Sequence, residues 1–219
     1  MLAISHWDSD HFNALPRVLA QTQVGMLVLP PTLAEARPPA WLERTVAERV
    51  VAAQAGGELR LAGGAHVDIL APRRPWLAGT RDEANDNSVV LRVSYGSVHV
   101  LLPGDLDAAG VARMVRDARA AGRSLRAQVL VLPHHGRQVA RTADLLDAAA
   151  PTWAIASCDW QADRYLDEDA RARIEQSGAR LLRTDEDGTI TITTDGTAAW
   201  VGTSRGELAT ASALAAARG

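Results

Sequence analysis

Two apolar runs constrain what this chain can fold into. The stretch 97–102 ends at Leu101-Leu102 and opens onto Pro103-Gly104-Asp105. The stretch 128–132 ends at Val131-Leu132 and opens onto Pro133-His134-His135-Gly136. An unbroken Val/Leu run is what a buried strand carries, and a proline at its end cannot extend the hydrogen-bonded ladder. Each run therefore delivers polar side chains to the C-terminal edge of a sheet, where α/β proteins build their sites.

Around these runs, hydrophobic spacing predicts strands over 25–30, 58–61, 66–70, 88–95, 153–157, 180–183, 189–194 and 198–201. It predicts helices over 12–19, 40–54, 108–121, 142–149 and 167–177, with Pro16 limiting the start of the first. Tyr95-Gly96, Asp187-Gly188 and Asp195-Gly196 mark tight turns, the first of them closing a hairpin. The first five residues read as the end of a strand, and the Ala-rich stretch from Glu207 as a frayed helix or disorder. Hairpins mixed with strand–helix units predict a single-domain α/β or α+β layered fold. A chain of 219 residues, 47% hydrophobic, is long enough for one sizeable core. No apolar run reaches the roughly 18 residues of a spanning helix, and the N-terminus has no signal-like pattern. The polypeptide as given is expected to be soluble.

A third cluster, His6-Trp7-Asp8-Ser9-Asp10-His11, follows the first predicted strand directly. Side chains at this spacing converge only in a loop, since a strand or helix would send them to different faces. Each motif also has a plainer reading. Asp10 and Asp105 both suit helix N-caps, and His134 and His135 suit a hydrogen-bonded loop pair. The distribution weighs against those readings, because four of the six histidines fall in just two strand-end loops. Histidine is the commonest protein metal ligand. Together the loops offer His, Asp, Asp, His, Asp and His, enough for two cations with open positions. No glycine-rich phosphate loop or nucleophile elbow competes, and the lone Cys158 has no basic neighbour in sequence.

The ordered set resembles a known family. His6-Trp7-Asp8-Ser9-Asp10-His11 is similar to the HxDxDH form of the metallo-β-lactamase signature, and Pro103-Gly104-Asp105 to its later Thr-Gly-Asp element. The closer resemblance is to the C-terminal hydrolase domain of ComEC-type DNA-uptake competence proteins. It is carried by Ser5-His6, Asn85-Asp86-Asn87-Ser88, Gly104-Asp105-Leu106, Pro133-His134-His135-Gly136 and Thr184-Asp185-Glu186-Asp187-Gly188-Thr189-Ile190, in that order. The resemblance implies an αββα sandwich over residues 1–204, with an Ala-rich tail over 205–219. It also implies two divalent cations: His6 and Asp8 would hold the first and Asp10 and His11 the second, with Asp105 bridging and His135 completing the set. His134 would stand outside the ligands or donate a proton to the leaving oxygen. A carboxylate at Asp8, where many members carry histidine, tilts the site toward Mn²⁺ or Mg²⁺ over Zn²⁺.

Three departures qualify the match. Asn87 and Ser88 stand where the superfamily often has a histidine, leaving the first metal one ligand short. Tyr165-Leu166-Asp167-Glu168 replaces a Tyr-Gly-His-Pro loop and removes a phosphate contact. The family domain also begins with further strands, including an Asp-Val-Gly-x-Gly-Asp segment, before the first metal loop. The sequence is accordingly expected to expose a sheet edge or face, and to be a fragment of a larger membrane protein or a reading frame started late. As a ComEC-like fragment it would belong at the bacterial inner membrane, on a side the sequence does not specify.

The implied reaction is in-line attack on a DNA phosphodiester by water activated between the cations, with Asp10 orienting it. A formal net charge of −3 argues against a generally basic DNA grip. Only 4% of residues are aromatic, too few for a base-stacking platform. Those features keep two alternatives open: a hydrolase of a small ester, lactone or phosphodiester, and an inactive, truncated relic or binding module.

Overall fold

The computed structural model describes residues 1–32, 39, 42, 50–137, 143–159, 166 and 168–212. Its centre is a seven-stranded mixed sheet. In chain order the strands are β4 (Glu58–Arg60), β5 (His66–Ala71), β6 (Val90–Tyr95), β7 (Val98–Leu102), β8 (Val129–Val131), β9 (Trp153–Ala156) and β10 (Arg180–Arg183). Their spatial order is β10-β9-β8-β7-β6-β5-β4. The hairpin half, β4 to β7, is antiparallel, and β7 to β10 run parallel. Parallel neighbours need crossovers, and helices supply them here: α4 (Ala108–Ala120), α5 (Ala143–Ala149) and α6 (Glu168–Gln176).

One face of this sheet packs against those helices. Leu101, Leu130, Ala154, Val111, Met114, Leu145, Leu146 and Ile174 form a single buried cluster there. The other face is covered in two halves. Over β4–β6 lies a three-stranded parallel sheet of β1 (Leu2–Ala3), β2 (Leu27–Leu29) and β3 (Val50–Ala52), which buries Val28 against Val67, Ile69 and Leu91. Strand alternation then sends Leu27 and Leu29 to the far side. There they meet Phe12 of α1 (Ser9–Phe12) and Leu15 and Leu19 of α2 (Leu15–Gln21). Over β7–β10 lies an antiparallel sheet of β11 (Ile190–Thr194), β12 (Ala198–Thr203) and β13 (Gly206–Ser212). It buries Ala199 and Val201 on Val129, Trp153 and Ile155. Two further one-turn helices are α3 (Glu83–Asp86) and α7 (Thr184–Asp187).

Three expectations are corrected. The cluster from His6 to His11 is a loop only in part, because Ser9–Phe12, with Asp10 and His11, forms the one-turn helix α1. The helix expected over 40–54 lies largely outside the described residues, but its end, Val50–Ala52, is strand β3. Parallel pairing with β2 outweighs its local spacing. The Ala-rich stretch from Glu207 continues strand β13 as far as Ser212, paired with β12. The boundary drawn at residue 204 therefore falls just before a strand of the third sheet. Among the described residues, no helix is long and apolar enough to cross a membrane.

Helix α4 is seated by Gly110, whose N–H donates to Asp86 Oδ1 at 2.8 Å. A Cβ at this position would lie 2.6 Å from the Asp86 carbonyl oxygen. Gly110→Ala is therefore expected to cost about 1–3 kcal/mol through overpacking. It would be read as a lower urea midpoint at unchanged slope; an unchanged midpoint would show that the helix is not held at this contact.

Candidate metal centre

Strands β7, β8 and β9 are parallel, so their C-terminal ends share one edge of the sheet, and the turn between β1 and α1 closes over it. The buried Pro103-Gly104-Asp105 turn brings in Asp105, and Pro133–Gly136 brings in His134 and His135. Asp105 is the common neighbour. Its Oδ1 lies 3.2 Å from His11 Nε2, and its Oδ2 lies 3.7 Å from His135 Nε2 and 3.9 Å from both His6 and His134 Nε2. Asp10 Oδ2 is 3.4 Å from His135 Nε2 and 3.7 Å from His11 Nε2. Asp8 reaches the cluster at His6 alone, at 3.6 Å among the described contacts. The seven residues singled out in the sequence thus form one connected cluster, with Asp8 and His134 at its margins.

The grouping differs from the ligand sets the resemblance implies: Asp8 belongs to neither compact group, and Asp105 belongs to one of them. His6, His11 and Asp105 offer ligand atoms within 4.8 Å of one another, and so do Asp10, His11 and His135. His11 is therefore shared between the two groups. The capping alternatives do not hold. Asp107, not Asp105, is the N-cap of α4 and accepts from Ala108 N at 2.7 Å. Asp10 lies within the first turn of α1, whose N-cap position is Asp8.

Two observations test whether these residues suit a cation. His6 Nε2 and His11 Nε2 are buried without a hydrogen-bond partner, although His11 Nε2 is close to Asp105. Buried ring nitrogens rarely go unmatched, and two of them facing a carboxylate suit a positive ion. The other ring atoms are already occupied. Ser5 Oγ lies 3.0 Å from Nδ1 of both His6 and His11, and His135 Nδ1 donates to the Ser157 carbonyl at 2.8 Å. Outward hydrogen bonds of this kind orient ligating imidazoles.

The electrostatics follow from the packing. Burial pushes the His6 imidazole below its ordinary pKa, reinforced by His11 and opposed by the carboxylates of Asp105, Asp8 and Asp10. Burial acts downward on His11 as well, but Asp105, with Asp10 and Asp8, carries it upward overall. For Asp105, burial acts upward and is outweighed by His11, His6 and His135, which hold the carboxyl below its ordinary value. The backbone beneath is unusual: His134 and His135 both have left-handed φ, 52° and 58°, ahead of Gly136 at 93°. Non-glycine residues in this region cost about 1–3 kcal/mol each, and such strain clusters at functional sites.

Several contributors had no assigned role in the sequence. Ser5 was visible only as the residue before His6. Asn85 is buried with Nδ2 3.5 Å from His134 Nδ1, and nothing in its local sequence separates it from Asn87. Asn87 is fully used in holding the preceding loop, through Leu77 N, Leu77 O and Glu83 O, and so is not free to replace a ligand. The late Thr184-Asp185 motif acts on the Ser157-Cys158 turn. Thr184 Oγ1 accepts from Cys158 N at 2.8 Å and donates to Cys158 O at 2.6 Å. Burial, with Asp185 beside it, pushes the Cys158 thiol up. Of the departures, the loop at Tyr165 and Asp167 lies outside the described residues. A separate group, Glu58, His66 and Asp68, has its Asp68 carboxylate taken by Arg92 at 2.8 and 3.1 Å and by His66 at 2.9 Å, an ion-pair network.

A cleft of about 320 Å³ opens beside the cluster. Ala3, Ile4, Val89, Leu91 and Leu102 form its apolar wall, and His11, Asp105 and His135 its polar end.

No family model matches the sequence. Over 107 residues, 48% of this chain, it is 37% identical to Competence protein ComA of Neisseria gonorrhoeae. Over 117 residues, 53% of this chain, it is 26% identical to the uncharacterized protein YcaI of Escherichia coli strain K12. The matched stretch makes up 15% of the length of each relative. Over about half its length, then, this chain is similar to a small part of a competence protein.

Proposed function

We propose that this chain is a divalent-cation-dependent hydrolase domain of the metallo-β-lactamase superfamily that cleaves DNA phosphodiesters in connection with DNA uptake. The observation that carries the reading is the convergence of four imidazoles on the buried Asp105 carboxylate, two of them with unmatched Nε2 atoms. The helix, sheet, sheet, helix packing over β4–β6 suits that superfamily's αββα sandwich, and the similarity to Competence protein ComA suits the uptake context.

In this reading His6, Asp8, Asp10, His11, Asp105 and His135 hold two cations, Mn²⁺ or Zn²⁺, with the carboxylates favouring the harder ion. The cations would supply an acidified water and positive charge opposite the phosphoryl oxygens. Asp10, with its side chain 61% exposed, faces the solvent side and would orient the attacking water. His134 Nε2, at the edge of the cluster, would give a proton to the leaving oxygen. The chain's origin within a larger membrane protein belongs to the same proposal.

A second reading is favoured by the cleft, whose apolar wall and modest volume suit a small ester or phosphodiester better than a duplex. A panel of plasmid DNA, single-stranded DNA and bis-p-nitrophenyl phosphate, with and without Mn²⁺, separates the two. Cation-dependent nicking of plasmid is expected. Turnover of the small diester alone would establish the second reading, and turnover of none would point to a non-enzymatic binding module.

A further inference from the structure

The Ser5 side chain sits behind the candidate centre and touches two of its imidazoles. Its Oγ lies 3.0 Å from Nδ1 of His6 and 3.0 Å from Nδ1 of His11, while both rings turn Nε2 toward Asp105. The two rings lie close, with centroids 4.1 Å apart. A serine hydroxyl has two acceptor lone pairs and one proton. Two imidazoles that both present an Nε2 lone pair must both carry their hydrogen on Nδ1, and one hydroxyl oxygen can accept both of those bonds.

We propose that Ser5 is a positioning residue that holds His6 and His11 together in the Nδ1–H form, which leaves both Nε2 lone pairs to ligate a cation on the side of the Asp105 carboxylate. The inference rests on the metal-centre reading above. The Ser157 carbonyl does the same for His135, one acceptor for one ring; Ser5 does it for two rings at once.

The backbone explains how a single side chain can occupy that place. Ser5 O accepts from Val89 N at 2.8 Å, which ties the residue to the entry of β6. On its other side is Gly104, with φ of 57°, where a Cβ would lie 2.6 Å from Ser5 Cβ. The glycine in Pro103-Gly104-Asp105 thus leaves the space that Ser5 fills. The turn bearing Asp105 and the segment bearing His6 and His11 are thereby set against each other through the serine.

The test uses the full chain. Calorimetric titration with Mn²⁺ is expected to show that Ser5→Ala weakens binding about 10–100-fold, the usual effect of removing an outer hydrogen-bond partner of a ligand. Ser5→Thr, which keeps the hydroxyl, is expected to stay near wild type. In ¹⁵N-histidine spectra of the Zn²⁺-loaded wild type, His6 and His11 should both show a protonated Nδ1 and a coordinated Nε2, whether or not the alanine variant folds. Unchanged affinity in Ser5→Ala, an equal loss in Ser5→Thr, or ligation through either Nδ1 would overturn the role of Ser5. A wild-type chain that binds neither Mn²⁺ nor Zn²⁺ would overturn the centre itself, so the wild-type titration tells the two failures apart.

Discussion

Asp105→Ala is expected to abolish cation-dependent phosphodiester cleavage and the thermal stabilisation that Mn²⁺ gives the wild type, while leaving the fold in place. Asp105 is the one carboxylate within 3.9 Å of four described imidazoles, and its two oxygens face different partners. No neighbour substitutes for it, because Asp8 reaches only His6 and Asp10 reaches only His11 and His135 among the described contacts. On the proposed reading Asp105 is a direct ligand, and its loss should exceed the roughly 100-fold that loss of an outer partner costs. The fold has independent supports, since Asp107 caps α4 and the ladder between β7 and β8 is backbone. Ligand that binds only the folded state raises stability by mass action, so a melting shift on Mn²⁺ addition reports the site without any substrate. A variant that still nicks plasmid and still shifts would remove Asp105 from the centre.

The largest effect on stability is expected at Leu101. It is fully buried in β7, paired with Arg92 on one side and Leu130 on the other, and packs into the helix-covered face. Leu101→Ala removes an isopropyl group from a position that cannot collapse, because strands flank it and helices lie above. The expected loss is about 2–5 kcal/mol, a large share of the roughly 5–15 kcal/mol that holds a domain folded. Urea unfolding should show a much lower midpoint with the slope retained. A loss below about 1 kcal/mol would mean that this face is not the tightly packed core described here.

Much of the fold was legible because its signals are local. The alternation in 66–70 and 88–95, the Val/Leu run at 128–132 and the Tyr95-Gly96 turn predicted β5, β6, β8 and the hairpin that joins β6 to β7. The elements that escaped are held by distant partners. Val50–Ala52 is a strand because it pairs with β2, and two of its three residues are exposed, so its own spacing carries no strand pattern. The Ala-rich β13 exists by pairing with β12.

The candidate site divides in the same way. Its imidazoles and carboxylates stood out by residue type and by their place after apolar runs. Ser5, Asn85 and the Ser157 carbonyl act through distances between loops far apart in sequence. A serine or a backbone carbonyl has no distinguishing mark until those loops are brought together. The sharing of His11 between both ligand groups was likewise invisible, since it depends on how α1 orients that ring relative to His135.

The most direct test is the divalent-cation content of the wild-type chain, purified without chelator, after equilibration with Mn²⁺ and removal of excess. About two ions per chain are expected, as a two-metal hydrolytic site requires, falling sharply in Asp105→Ala. A wild-type chain that retains no ion, or an Asp105→Ala chain that retains as many, would contradict the two-metal reading.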